Sequence, residues 1–500
     1  MKKDTKREWT IIFLIKAVGE HSIFADLMLK EILAIADNNK VEYLFCLQGT
    51  IKAIKQLPFT YTPIGNRSED SLTTIFFTIR KATAVGNNQF AFLDENVDFK
   101  LSNQRALEDY FKNKILIHYT ADKYLLFTWD HSTQFGIFRE DATTFIKSKA
   151  HLEIANENVA RPIPQSKNYS FLVIDNNTIY NQATSPFDAA CIMDKYKYHL
   201  KEHNTDQESP QEGVSPNKRG VVTKPRHDKL SISELAQAIK WGFGNKKIDL
   251  LIMMNCNMQF FDIGFTLSSA VDYLVAPLST ISFNGYNYKA IFEAINTQPE
   301  LTARKLACIA VSSFKTKAFS DSSIRRFELA NTILFANNLN HYFGIGAWID
   351  RLSARLIKII EIRFRLINEG RGKIETLNED YKMIDICHFL SSMKLNKYYP
   401  LTEKDSTTIK RLIKSAIIQK YVAINPKGPN PLEALIKSPF QVLSGIGVFF
   451  PKDANDILGS DDFNFLFMQS KSGATTFTRL FKWDNFISTY LERFQEQSAP

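Results

Sequence analysis

The first apolar run of the chain, Trp9–Ala17, has almost no polar interruption, the pattern of a strand buried on both faces. Ser22 is then placed to cap a helix running to about Ala36, with Phe24, Leu27, Leu29, Ile32 and Ile35 largely on one side. Val41–Leu47 reads as a second strand and Leu72–Arg80 as a third. Ser102 or Asn103 opens a short helix through Phe111, and Tyr124–Trp129 is another buried strand. Farther on, Ser231 and Glu234 form an S-x-x-E capping box ahead of Ile232, Leu235, Ala236 and Ile239. Strand Ile248–Met254 follows, then a helix from about Met258, then strand or loop at Val271–Pro277 and Thr280–Phe283. This βαβ rhythm predicts an α/β fold with a mostly parallel central sheet flanked by helices on both faces.

The rhythm fails between about His199 and Asp228, where polar and charged residues show no hydrophobic period. Such a stretch cannot bury enough apolar surface to order itself, so an exposed, protease-sensitive loop is expected. A plain flexible insertion and a regulatory loop both fit it. Its basic end carries Lys218, Arg219, Lys224, Arg226 and Lys229. In 139–198 only Tyr169–Asp175 reads as a strand, joining the main sheet or forming a lid; Asn177 and Tyr180 beside it have no assigned role. Beyond residue 300 helical spacing dominates, at Leu306–Phe314, Ser323–Leu339 and Trp348–Ile367. A strand Gly445–Phe450 ends at Pro451, Thr475–Phe481 is strand-like, and a helix begins at Trp483. The expected organisation is a core over 7–300, with an insertion at about 139–229, and a helix-rich region over 301–500 packed on it.

Composition narrows the function classes. Apolar residues make up 44% and charged residues 23%, a normal soluble balance, and 39 Phe point to an aromatic-rich core. The net charge of +9 is dispersed along the chain, so no nucleic-acid partner is expected. Cysteines at 46, 191, 256, 308 and 387 are odd in number, sparse and without a CxxC pair. That pattern speaks for reduced thiols in a cytosol and against a disulfide framework or a cysteine zinc site. Lys2, Lys3, Lys6 and Arg7 before Trp9–Ile15 imitate a signal peptide, but Lys16 interrupts the run and no small-residue cleavage site follows. No stretch approaches the ~20 apolar residues of a membrane helix. A cytoplasmic protein without membrane contact is expected.

Two of the buried strands end in chemistry. Tyr124–Trp129 runs straight into Asp130-His131, and Ile248–Met254 straight into Asn255-Cys256. Ligands of open parallel sheets bind just beyond the carboxyl ends of the strands. A free thiol has a pKa of about 8.5, so little of it is thiolate at neutral pH. An adjacent imidazole, or the N-terminus of the helix expected near Met258, would raise that fraction. Backbone N–H groups there could hold an oxyanion. From the residues alone, a packed structural cysteine stays open as the alternative. The adjacent pair Cys387-His388 reads as packing.

The words around these residues add a resemblance. ADKYLLFTWDHSTQFGIF (121–138) is similar to the histidine segment of the clostripain family of cysteine peptidases, where a strand ends in Trp-x-His-Gly. LSISELAQAIKWGFGNKKIDLLIMMNCNMQFFDIGFTL (230–267) resembles its nucleophile segment, where the pattern is Asp-Ala-Cys-Leu-Met. VDYLVAPLSTISFNGYNY (271–288) looks like the stretch that follows, with its Gly-Trp/Tyr-x-Tyr ending. REWTIIFLIKAVGE (7–20), DICHFLSSM (385–393) and LSGIGVFFP (443–451) extend the ordered set over most of the chain.

The resemblance implies a caspase-like sandwich and thiol proteolysis of protein or peptide substrates. It makes His131 the general base and acid and Cys256 the nucleophile, with Ser132 and Cys256 as backbone oxyanion candidates. It implies processing between the two, which draws attention to Lys218 and Arg219 and to an activating protease or regulatory protein as partner. No cofactor is expected; calcium enters only through relatives, and Asp461-Asp462 is more simply a solvated turn. Ser132 stands where the family has glycine. Met254 replaces an aspartate that favours basic P1 residues, and Asn284 stands where a second pocket acid occurs. A pocket without carboxylates loses its charge-assisted grip on Arg or Lys. The expected enzyme is therefore an intracellular cysteine endopeptidase cutting after neutral residues. The alternative is an inactive pseudo-peptidase serving as a binding or scaffold module.

Overall fold

The computed structural model describes residues 7–18, 21–36, 41–81, 88–130, 132–133, 136–138, 169–175, 178–184, 229–278, 281, 285–298, 300–314, 316, 332–374, 377, 382–394, 403–424, 443–452 and 482–498. In chain order their strands are β1 (Arg7–Ala17), β2 (Val41–Thr50), β3 (Leu72–Lys81), β4 (Asn88–Asn96), β5 (Ala121–Trp129), β6 (Ser132–Thr133), β7 (Gly136–Ile137) and β8 (Tyr169–Asp175). Then come β9 (Thr178–Thr184), β10 (Leu230–Ser231), β11 (Ile248–Met254), β12 (Val271–Pro277), β13 (Ile333–Asn338), β14 (Met383–Asp385), β15 (Ile417–Ile424) and β16 (Gly447–Phe449).

Eleven of these strands form one sheet in the order β4-β3-β2-β1-β5-β11-β12-β13-β15-β8-β9. Its centre, β2-β1-β5-β11-β12, is parallel. Parallel neighbours need crossovers, and the helices His21–Ile35, Ile232–Gly242 and Phe261–Leu267 lie in them. Both flanks are antiparallel.

The centre is buried on both sides because its sequence is apolar on both sides. Ile11, Phe13 and Ile15 of β1 pack into one layer with the helices His21–Ile35, Tyr288–Thr297 and Ala303–Ser312. Ile12 and Leu14 pack into the other, with Ile232–Gly242, Phe261–Leu267 and the long helix Tyr342–Gly372. The phenylalanine excess becomes a ladder. Phe127, Phe13, Phe45 and Phe77 occupy register positions on β5, β1, β2 and β3, and their rings stack with centroids 4.7–4.8 Å apart. Rings held parallel by a pleated sheet add favourable contact to their burial.

Local signals were realised where the chain needed little else. Ser231 caps its helix as half of a complete capping box with Glu234. Asn103 caps Gln104–Tyr110 by accepting from the amides of Arg105 and Ala106. Cys387 and His388 lie in the helix Ile386–Lys394, and Asp385 caps its first turn by accepting from both their amides.

Several expectations are corrected. Ser22 lies inside a helix that already begins at His21, so it is not the cap. The described part of Ser323–Leu339 is strand β13 and a short 3-10 turn, not helix. Its run Ile-Leu-Phe-Ala fits either period, and pairing between β12 and β15 decides it. Strands β4 and β15 carried no clear sequence signal. The strand Tyr169–Asp175 joins the main sheet through β15 and is no lid. Ile281 is the only described residue of 279–284, and 199–228, Asn177, Asp461-Asp462 and Thr475–Phe481 lie outside the described residues.

Candidate active site

β5 and β11 are adjacent and parallel, in register from Leu125↔Leu250 to Trp129↔Met254. Trp129 and Met254 pack in the same layer. His131 and Cys256 each follow two residues later in the chain, and Cys256 lies just past the carboxyl end of β11. His131 itself lies outside the described residues, as do Asn284, Lys218 and Arg219. Ser132, next in the chain, is described: its hydroxyl donates to the backbone carbonyl of Cys256.

The strand ends are also laced by a buried side chain. Asn255 is fully buried; its Oδ1 accepts from Thr128 Oγ1 at 2.6 Å, and its Nδ2 donates to the Asp130 carbonyl at 3.0 Å. Just after Cys256 the backbone turns sharply, with Asn257 in the left-handed region at φ 56°. The chain then hangs on β12, with Met258 N and Gln259 N both donating to the Pro277 carbonyl. The following helix starts at Phe261, not near Met258. The amides expected to serve a thiolate or oxyanion there are already bonded to Pro277, which removes that source of help.

Cys256 is a half-buried free thiol packed against the layer that holds Trp129 and Met254. Burial pushes its pKa up, opposed by hydrogen bonds from the backbone amides of Ile281 and of Cys256 itself. A raised thiol is a poor nucleophile at neutral pH, so this cysteine needs a base beside it to react.

Met254, Tyr286 and Tyr288 belong to the same apolar layer. Met254 is buried, and Tyr288 Oη donates to its sulfur at 2.6 Å. Tyr286 Oη donates to the Met253 carbonyl at 3.0 Å, so the segment after β12 is stitched onto the end of β11. Gly285 (φ +62°) covers the methionine so closely that a Cβ would fall 2.4 Å from Met254 Sδ. Among the described residues no cluster of three or more His, Cys, Asp or Glu is placed to hold a metal ion. No described helix is long and apolar enough to cross a membrane.

A second buried network holds the segment that follows Cys256. Gln259 Nε2 donates to Asn337 Oδ1 and to the Gly445 carbonyl, both at 2.8 Å, while Asn337 Nδ2 donates back to Gln259 Oε1 at 2.7 Å. Tyr342 Oη also donates to Asn337 Oδ1, at 3.0 Å. Asn255, Gln259 and Tyr288 are thus site residues that sequence reasoning did not single out. For Tyr288 the Gly-Tyr-x-Tyr ending was a usable signal. A lone Asn or Gln has no periodicity to announce it.

Known proteins share this architecture. The model of the clostripain family, peptidase C11, matches residues 210–443, a span that includes Cys256 but not His131. An inactive zymogen C11 protease from Parabacteroides distasonis superposes with TM-score 0.52 at 13% identity, covering 97% of this chain and 99% of its own. A secreted C11 cysteine protease from Bacteroides thetaiotaomicron gives 0.53 at 11%, covering 95% and 99%. A C11 cysteine protease from the same organism, in complex with an irreversible peptide inhibitor, gives 0.51 at 12%, covering 94% and 99%. No curated protein sequence matches the chain. The clostripain family model thus matches the segment that holds Cys256, and the chain shares the fold of C11 proteases over nearly its whole length.

Proposed function

We propose that this protein is a cysteine endopeptidase of the clostripain family that hydrolyses peptide bonds with His131 and Cys256 as its dyad. The observation that carries the reading is the register pair Trp129↔Met254, two residues short of each candidate on adjacent parallel strands. The raised Cys256 thiol makes the base necessary: His131 takes the proton, and the sulfur attacks the substrate carbonyl carbon. His131 then returns the proton to the leaving amine, a thioester remains, and water attacks it with His131 again as base. The backbone amides of Ser132 and Cys256 are the oxyanion candidates.

The P1 side chain is neutral in this reading. The residue two before the nucleophile is a methionine whose sulfur is engaged by Tyr288, so that position offers no carboxylate to a lysine or arginine. Asn284 is the second pocket position. Regulation by cleavage at Lys218 or Arg219 belongs to the same proposal, with another protease cutting, since the pocket does not suit basic residues. Its support is topological. β7 and β10 pair antiparallel, Ile137 with Leu230, so the chain leaves and re-enters the core at one place. A break between them leaves both new ends anchored. A reducing, cytosolic setting and no cofactor complete the reading; Cys46, Cys256, Cys308 and Cys387 are free.

The second reading, an inactive pseudo-peptidase, is favoured by one observation. The side chain that stands where the family has glycine bonds the backbone carbonyl of Cys256 itself. One experiment separates the two. The protein and its Cys256→Ala variant are incubated with a diverse peptide mixture under reducing conditions, with the 139–229 insertion intact or pre-cut, and products are identified by mass spectrometry. Cleavages that need Cys256, after neutral residues, establish the peptidase and its preference. Identical peptide profiles in both forms establish the pseudo-peptidase.

A further inference from the structure

We infer that Asn255 is a positioning residue that sets the spacing and orientation of His131 relative to Cys256. This rests on the proposed dyad. Cys256 is covalently attached to Asn255, and His131 to Asp130, so whatever ties Asn255 to Asp130 ties the two reactive residues. The tie is a single amide: Nδ2 holds the Asp130 carbonyl at 3.0 Å, and Oδ1 receives Thr128 Oγ1 at 2.6 Å. Asn255 therefore grips β5's last turn of chain at two points, one inside the strand and one just past its end.

Three features separate this from ordinary packing. β5 and β11 are already paired through Trp129↔Met254, so their backbone ladder does not need the amide; the clamp acts just beyond it, where the ladder stops. Asn255 is fully buried, and both ends of its amide are matched, one acceptor and one donor, which fixes the flip of the amide and hence which backbone group it holds. The amide holds the carbonyl of Asp130, so the restraint acts on the peptide bond that leads into His131. The clostripain pattern has alanine here, which can do none of this. Where the family pattern has glycine after its histidine and alanine before its cysteine, this chain has Ser132 and Asn255, and each bonds across the two strand ends.

The test uses the full-length protein. Alkylation of Cys256 by iodoacetamide is followed peptide by peptide across pH in the wild type, His131→Ala, Asn255→Ala, Thr128→Val and Thr128→Ser, with thermal unfolding measured on each. Wild type is expected to alkylate at lower pH than His131→Ala, because the imidazole draws off the thiol proton. Asn255→Ala, although folded, is expected to move most of the way to the His131→Ala profile, slowing Cys256 by about tenfold for each unit the profile shifts. Thr128→Val should move part of the way, and Thr128→Ser, which keeps the hydroxyl, should lie nearer the wild type. A folded Asn255→Ala with the wild-type profile overturns the positioning role while leaving the dyad standing. Coincident wild-type and His131→Ala profiles overturn the dyad and the clamp together. If Asn255→Ala does not fold, the Thr128 pair decides by the same comparison.

Discussion

Tyr288 donates its phenolic hydrogen to the sulfur of Met254, 2.6 Å away, and so caps the side chain two residues before Cys256. Both residues are buried, and Gly285 closes over them. This contact makes the end of β11 apolar at the position where the clostripain pattern has an aspartate. It also offers a ready partner to a carboxylate, because a phenol donates to oxygen better than to a thioether.

Met254→Asp should therefore introduce cleavage after Arg or Lys. A charge-assisted pair contributes about 1.5–3 kcal/mol, so kcat/KM for a basic P1 peptide should rise by roughly tenfold or more over wild type. Paired peptides differing only at P1 measure it. No gain for the basic peptide would show that Met254 does not face P1.

Gly285→Ala should destabilise the fold. The backbone is left-handed there, and the new Cβ would lie 2.4 Å from Met254 Sδ and 2.7 Å from Tyr288 Oη. A cost of about 1–3 kcal/mol is expected, read from urea unfolding. A variant as stable as wild type would mean that segment 285–288 moves freely.

Two buried carboxyls should make the protein lose stability as pH rises from acid to neutral. Desolvation raises Asp262 to about 7 and Asp385 to about 6, the latter against hydrogen bonds that favour the charge. Because these folded values exceed the unfolded value near 3.9, each group's protonated form contributes stability that is full below about pH 4. That contribution is lost as pH climbs to about 7 for Asp262 and about 6 for Asp385. Asp262→Asn should accordingly be more stable than wild type at about pH 8, by up to ~4 kcal/mol, and close to it at about pH 4. Urea midpoints at the two pH values check the sign; a variant less stable at the higher pH would refute it.

Asn337→Leu should cost more than its lost contacts. It removes the donor to Gln259 Oε1 and the Asn337 acceptor of the Tyr342 hydroxyl, at about 1–3 kcal/mol each, while Gln259 Nε2 keeps the Gly445 carbonyl. Adding Gln259→Leu should recover part of that loss. A double-mutant cycle is expected to give a coupling of about 1–3 kcal/mol, and strict additivity would deny the network.

Much of this molecule was determined by sequence alone, wherever a local rule acts on a local pattern. The uninterrupted apolar runs of β1, β5 and β11 demanded burial on both faces and received it. The Ser231 capping box and the Asn103 cap needed only the amides of their own first turns. The placement of Cys256 just past the end of β11 was legible for the same reason: a strand's end is a property of its own sequence.

Tertiary structure decided the rest, because it depends on which distant segments become neighbours. Ile333–Asn338 became a strand because β12 and β15 offered it partners, although its spacing also suits a helix. Gln259 and Asn337 are 78 positions apart in sequence, and only the closed sheet brings their amides together. Thr128, Asp130 and Asn255 join on the same terms, through the register of two strands that chain order does not pair. Hydrophobic period is written along the chain, but a polar side chain finds its partner only in the folded register. The clamp and the capped methionine therefore became visible only there.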